Sequence, residues 1–160
     1  MNAQQNSLAL LNYKFKLSRT PEVEYRAQTV TIPGLSLGSA DMPTQFGLRV
    51  PFSGNLAYED LTLSFLVGEE LADYLEIYNW MISLGHPDGF GAYPKDQKET
   101  VSDLTVFILN SAMRPIVNVR FIDAFPISLS SLDFDSTLTE VQYAQATVTF
   151  RYNRYYIETL

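Results

Sequence analysis

Val141-Gln142-Tyr143-Ala144-Gln145-Ala146-Thr147-Val148-Thr149-Phe150-Arg151-Tyr152 decides the fold class. From Ala144 onward its even positions (Ala144, Ala146, Val148, Phe150, Tyr152) are apolar, and its odd ones (Gln145, Thr147, Thr149, Arg151) are polar. A period of two belongs to a strand with one face in a core and the other in water. The same alternation recurs upstream. In 12–19, Tyr13, Phe15 and Leu17 point one way and Lys14, Lys16 and Ser18 the other. In 56–67 the apolar set is Leu61, Leu63, Phe65 and Val67. The β-branched and aromatic run 23–32 reads as a further strand, halted by Pro33-Gly34. Asp103 to Asn110 has a continuous apolar centre, as a central strand has. Pro115 to Asp123 carries Val117, Val119 and Phe121 on one face; Phe125-Pro126 marks a corner, 127–132 continues extended, and 133–139 is a turn region.

One segment breaks the pattern. Glu69 to Leu84 has helical spacing, with Glu69, Glu70 and Asp73 in its first turns, where the helix dipole favours negative charge. Gly85 and Pro87 follow as a stop. Ala72, Glu76, Asn79 and Ser83 share one side, while the apolar residues spread over an arc of roughly 200°, twice the ~100° that one core requires. Such a helix covers its own domain and meets something else. The expected fold is mainly β: an antiparallel sandwich or barrel of about seven to eight strands, with one flanking helix over about 69–84 and a long loop over about 35–55. Residues 1–160 are expected to form a single domain.

Composition excludes several classes of function. The 160 residues hold no Cys and only one His, so thiolate zinc sites, disulfides, cysteine nucleophiles and multi-histidine metal sites are ruled out. His86 follows the helix and reads as a structural or solvated residue. Lys and Arg number 11 against 18 Asp and Glu, a net charge of −7, which argues against general affinity for nucleic-acid backbone. No apolar run approaches the ~20 residues of a membrane helix, and 1–11 lacks the pattern of a signal peptide. A cytoplasmic site of synthesis is expected.

The chemical motifs are weak. No metalloprotease, nucleophile-elbow or Walker pattern occurs, and Gly85, Gly89 and Gly91 are scattered through the loop 86–100. Glu69/Glu70 and Asp133/Asp135 could be paired carboxylates, but a helix N-terminus and a turn explain them. Asp133, Asp135 and Glu140 lack the glycine and ligand density of a calcium loop. The run Phe150 to Tyr156 interleaves aromatics with arginines; base stacking is one reading, and a sheet face or protein contact the better one at this net charge. No enzyme, metal or cofactor is expected.

The surface carries the unexplained chemistry. The stretch 35–55 contains Gly38, Pro43, Gly47, Pro51 and Gly54, yet also Met42, Phe46, Leu48, Val50 and Phe52, with 45–52 a possible hairpin arm. Such a connection is too apolar to be left in water and points to self-association.

The order of features resembles the tail tube protein family of contractile-tailed bacteriophages. The features are the early strand 12–17, Ile32-Pro33-Gly34, the long loop, Leu56 to Phe65, a helix with Trp80, Tyr93-Pro94-Lys95, Phe125-Pro126, 129–135 and Val148 to Tyr152. The resemblance spans nearly the whole chain. It implies a structural virion protein of the tail, assembled in the host cytoplasm, whose hexameric rings stack into the inner tube that conducts the genome. The type VI secretion tube protein and the baseplate tube-initiators are similar in architecture. By position, Met42, Phe46, Leu48, Val50 and Phe52 would form the ring-stacking contact. Tyr74, Ile77, Trp80 and Leu84 on the helix would meet a neighbour or the sheath. Implied partners are further copies of the chain, the sheath protein, baseplate and tail terminator proteins, and passing DNA that is not held; no membrane is implied. The absence of an extra domain leans toward the main tube subunit, with a tube-initiator or adaptor ring as the alternative. A carbohydrate-binding sandwich using Tyr155 and Tyr156 is the competing class. Acidic residues are expected to outnumber basic ones on the channel-facing sheet.

Overall fold

The computed structural model describes residues 12–85 other than 18 and 48, and residues 100–160 other than 138. The loop read over 86–100, with His86, therefore lies outside the described residues except at Thr100. The elements are β1 (Tyr13–Leu17), α1 (Pro21–Arg26), β2 (Ala27–Thr31), β3 (Leu35–Pro43), β4 (Arg49–Tyr58), β5 (Leu61–Leu66), α2 (Ala72–Gly85), β6 (Ser102–Leu109), β7 (Pro115–Leu129), β8 (Gln145–Arg151) and β9 (Arg154–Thr159). The mainly β, antiparallel expectation holds, with nine strands among the described residues and one long helix. The sheet path runs β1-β6-β7-β8-β5-β2 with β9 on β7, and it does not close into a barrel.

Two long antiparallel ribbons organise the molecule. In the first, Phe125 lies opposite Arg151 and Ile122 opposite Arg154, so β8 and β9 are successive stretches of one partner running beside β7. Both bend together. The bend on β7 is at Asp123, a left-handed residue (φ 55°) where the pairing with β6 slips by one. A bulge there turns the strand from one sheet into the other. The first half of β7 thus belongs to a layer with β1, β6 and β9, and its second half to a layer with β8, β5 and β2. We call these the outer and inner layers.

In the second ribbon, Thr31 lies opposite Thr62 and Leu35 opposite Tyr58, so β2-β3 and β4-β5 continue one register across the Pro33-Gly34 break. The Glu59 N–H donates to the Gly34 carbonyl at 3.2 Å inside that gap. The long loop expected over 35–55 is therefore a two-stranded arm. It leaves the inner layer as an extension of its own edge hairpin.

The facing sides of the layers form the core. Phe15, Leu17 and Phe121 come from one, Leu63, Val148 and Phe150 from the other, all in one buried cluster. Burying each such side chain contributes about 1.5–3 kcal/mol. Helix α2 closes this core: Ile77 and Trp80 are buried, the Trp80 ring lies 6.0 Å from Phe150, and its indole N–H donates to the Thr100 carbonyl at 2.9 Å.

Three local expectations need correction. The stretch 23–32 begins as helix α1, because Pro21 opens a helix without wasting a donor and Glu24 N–H reaches the Thr20 carbonyl at 3.2 Å. Helix α2 starts at Ala72 instead of Glu69. Leu71 is left-handed (φ 56°), and the buried Asp73 carboxylate accepts from the N–H groups of Gly68 (3.0 Å) and Tyr74 (2.8 Å), fixing the turn before it. Gly85 belongs to the helix and is not a left-handed stop; Gly47 is the one described glycine with φ above zero.

Candidate assembly surfaces

The arm is exposed along its whole length on both strands. At ~3.3 Å per residue its nine-residue strand β3 reaches roughly 30 Å from the body. At the tip the Gly47 N–H donates to the Thr44 carbonyl at 3.1 Å, and φ of +74° suits glycine there. Phe46 sits on that turn with 90% of its surface in solvent.

Pairing shows how the apolar residues are arranged. Near the body Leu35 faces Tyr58 and Leu37 faces Leu56; toward the tip Ala40 faces Phe52 and Met42 faces Val50. Between them the register slips by one at Gly38 and Gly54. Along β3 residues 35 and 37 share one side and 40 and 42 the other. The two apolar patches are therefore on opposite sides of the ribbon. The crossing is tight: a Cβ on Gly54 would sit 2.9 Å from the Gly38 carbonyl carbon and oxygen.

Aromatic packing anchors the arm's root. Tyr58 meets Tyr152 and Tyr155 edge-on, with centroids 6.0 and 5.7 Å apart. The Tyr152 hydroxyl donates to the Glu59 carbonyl at 2.7 Å, and that of Tyr155 to the Pro33 carbonyl at 3.2 Å. Burial foremost, and then the neighbouring Tyr155, Asp60, Tyr58 and Glu59, push the Tyr152 phenol above its ordinary value.

Met42, Phe46, Val50 and Phe52 are thus together on the outer arm and exposed, while Leu48 lies outside the described residues. The helix set divides. Ile77 and Trp80 point into the chain's own core, so they present nothing to a neighbour; the spacing that places them on an apolar arc does not say which part of it faces inward. Tyr74 is half-buried, its hydroxyl donating to the Ser130 carbonyl at 3.1 Å, and Leu84 is half-buried beside Phe125 and Tyr152 in a cleft. The exposed apolar residues of the helix are Leu75, Tyr78 and Ile82. Leu35, Leu37, Leu56 and Tyr58 are further exposed apolar residues of the arm, and their alternation is the sequence signal that marks them.

The two layers differ in their solvent faces. On the outer layer Lys14, Lys16, Arg120 and Arg154 accompany Asp103 and Glu158, with Arg120 donating to Asp103 at 2.8 Å. That bond raises the Arg120 pKa further. On the inner layer two rungs carry hydroxyls alone. One is Thr31, Thr62, Thr149 and Ser128; the other is Thr29, Ser64 and Thr147, with Ser130 bonded to Thr147.

The rival sites do not assemble. Tyr155 is held at the arm root, and Tyr156 is on the opposite face of β9 under Arg154, so they form no common sugar-stacking platform. Phe150 and Tyr152 point into the core while Arg151 pairs with Asp60 at 3.5 Å, so the Arg/aromatic run is split between faces. Among the described residues no group of three or more His, Cys, Asp and Glu is placed to hold a metal, and no helix is long and apolar enough to cross a membrane.

Comparison with known proteins places these surfaces in context. The family model described as phage tail tube protein matches residues 2–158. The tail tube terminator protein of Enterobacteria phage T4 is 30% identical over 136 residues, covering 82% of this chain and 76% of the relative. A chain of the anti-feeding prophage tube-terminating cap superposes with TM-score 0.72 at 19% identity, covering 99% of this chain and 95% of that one. A chain of the sheath/tube terminator structure of the extracellular contractile injection system PVC superposes with TM-score 0.70 at 16% identity, covering 98% and 99%.

Proposed function

The chain belongs to the phage tail tube protein family, a structural component of the virion tail and not an enzyme, and we propose that within it the chain forms the ring that ends the tube. The exposed apolar arm is the observation that carries this reading: Leu37, Met42, Phe46, Phe52 and Leu56 lie in water on a ribbon that no other part of the described chain covers. Exposed apolar surface of this kind belongs in an interface. The T4 relative supports the terminal position over the main tube subunit. Domain length does not distinguish the main tube subunit from the terminator, since the terminator relative matches along 76% of its own length.

Ring closure follows from the inner layer. A ring needs a head-to-tail contact between two different edges. The four strands β7, β8, β5 and β2 alternate in direction, so β2 at one edge runs opposite to the second half of β7 at the other. A rotated copy sets its β7 beside β2 as a further antiparallel pair. The outer layer is less suited. Helix α1 packs against its β1 edge, where the Glu24 carboxylate accepts from the Leu17 N–H at 3.3 Å. In this reading the ring is hexameric, the inner layer faces the bore, the arm reaches the adjoining ring of tube, and Leu75, Tyr78 and Ile82 face a neighbour or the sheath.

Replacing Phe46 and Phe52 together by Ser tests the arm. The variant is expected to keep the wild-type circular dichroism spectrum and melting temperature and to lose binding to preformed tubes in co-sedimentation. Undiminished binding would remove the arm from the contact.

A further inference from the structure

The inner layer's solvent face is built in a way that the chain's net charge of −7 does not announce. Its central rungs hold eight hydroxyl residues and no charged one: Thr31, Thr62, Thr149 and Ser128 in one, Thr29, Ser64, Thr147 and Ser130 in the other. The charged groups nearest in register are Asp60 and Arg151, which pair with each other at 3.5 Å beside the arm root. At the other end Gln145 donates to Gln28 at 3.0 Å, again without charge. The outer layer's face, four basic residues and two acidic, shows that the uncharged face is not a general habit of this sheet.

We propose that these two rungs form the wall of the bore and that the wall is neutral and hydrated, a surface over which a nucleic-acid duplex passes without being held. The proposal rests on the ring reading above. A polyanion binds by exchanging condensed counterions for Lys and Arg; the two rungs have neither, and Arg151 beyond them is paired with Asp60, so this face offers little for exchange. It does not repel either, so the acidic wall expected from composition is replaced by an uncharged one. Threonine meets both requirements of such a wall. Its β-branch stiffens an extended strand, and its hydroxyl holds water where an apolar side chain would adhere. Part of the hydroxyl capacity is spent within the sheet: Ser64 and Thr147 share a bond at 3.1 Å, and Thr147 N–H donates to the Ser130 hydroxyl at 2.9 Å. This fixes the side chains and lowers their capacity to grip a phosphate. Glu69, Glu70, Asp133, Asp135 and Glu140, all exposed, lie outside these rungs and carry much of the negative charge.

The cysteine-free chain allows a direct test with Thr149→Cys and Lys14→Cys, one thiol each. In assembled rings Thr149→Cys should react with a small maleimide and resist a polymer-linked maleimide wider than the bore, becoming reactive when the ring is dissociated. Lys14→Cys should react with both reagents throughout. Equal access of both thiols to the large reagent in intact rings overturns the wall assignment. Failure of the wild-type chain to form rings removes the ring reading itself, a result that sedimentation separates from the labelling. For the charge, wild-type rings should not bind labelled duplex DNA at 50 mM salt, whereas Thr62→Lys/Thr149→Lys rings should bind it, the log–log salt slope steepening by about 0.9 for each phosphate neutralised. Salt-sensitive binding by wild-type rings that Thr149→Asp abolishes would show a wall that grips, contrary to the proposal.

Discussion

Trp80 shows how a residue can be read correctly in kind and wrongly in direction. Its place on a wide apolar arc marks it as buried somewhere; only the packing against Phe150 and the bond to Thr100 tell that the burial is within its own chain. Trp80→Ala should therefore behave as a core lesion, costing about 3–5 kcal/mol. At about 2–4 °C per kcal/mol in a chain of this size, a thermal melt detects it readily. Tyr152 offers a pH-resolved case. Its folded phenol is raised above the ordinary value, so the neutral form is favoured in the fold. That contribution is complete below about pH 10, where the unfolded phenol is neutral too, and is lost as the pH rises toward the folded value. Tyr152→Phe, which also removes the bond to Glu59, should cost about 1 kcal/mol at pH 7. The gap in melting temperature from wild type should narrow above pH 10.

At the scale of elements, the alternating strands β1, β5 and β8 were legible because each has one wet face and one dry face. The arm was not, for the complementary reason. Both its faces are in water, and its apolar set crosses from one side to the other at Gly38 and Gly54, so no single period of two runs through it. Of the prolines and glycines that suggest a loop, Pro43 and Gly47 accompany the tip turn, Gly38 and Gly54 the crossing, and Pro51 lies within β4 opposite Asp41. Helix α1 was hidden differently: Val23 and Tyr25 suit a strand, while Pro21 as an opening residue favours a helix. The crossing gives the arm its own test. Gly54→Ala forces the two backbones apart, yet no core residue is near it, so the melt of the body should stay within about 0.5 kcal/mol of wild type. Binding to preformed tubes should fall. An arm that tolerates alanine there without loss of binding would not need its two patches on opposite sides.

At the scale of the whole molecule, the fold class and the absence of catalytic equipment were written in composition and periodicity. The layer proposed to face the bore was not, since that assignment depends on which edges are free and which are covered. A chain records its strands' faces locally, whereas in the proposed ring the choice between two layers rests on Glu24 and helix α1 covering the β1 edge, since both layers alternate in strand direction. Net charge is a sum over the surface, whereas the proposed bore wall would sample only two rungs of it, so the acidic wall expected from composition and the neutral wall proposed from the fold are alternatives that a ring structure separates. Cryo-electron microscopy of the purified wild-type chain tests the central claim most directly. The account predicts single rings with a central bore, walled by β7, β8, β5 and β2, with the arms projecting from one side. Monomeric particles, long self-stacked tubes, or rings with β1, β6 and β9 facing the bore would contradict it.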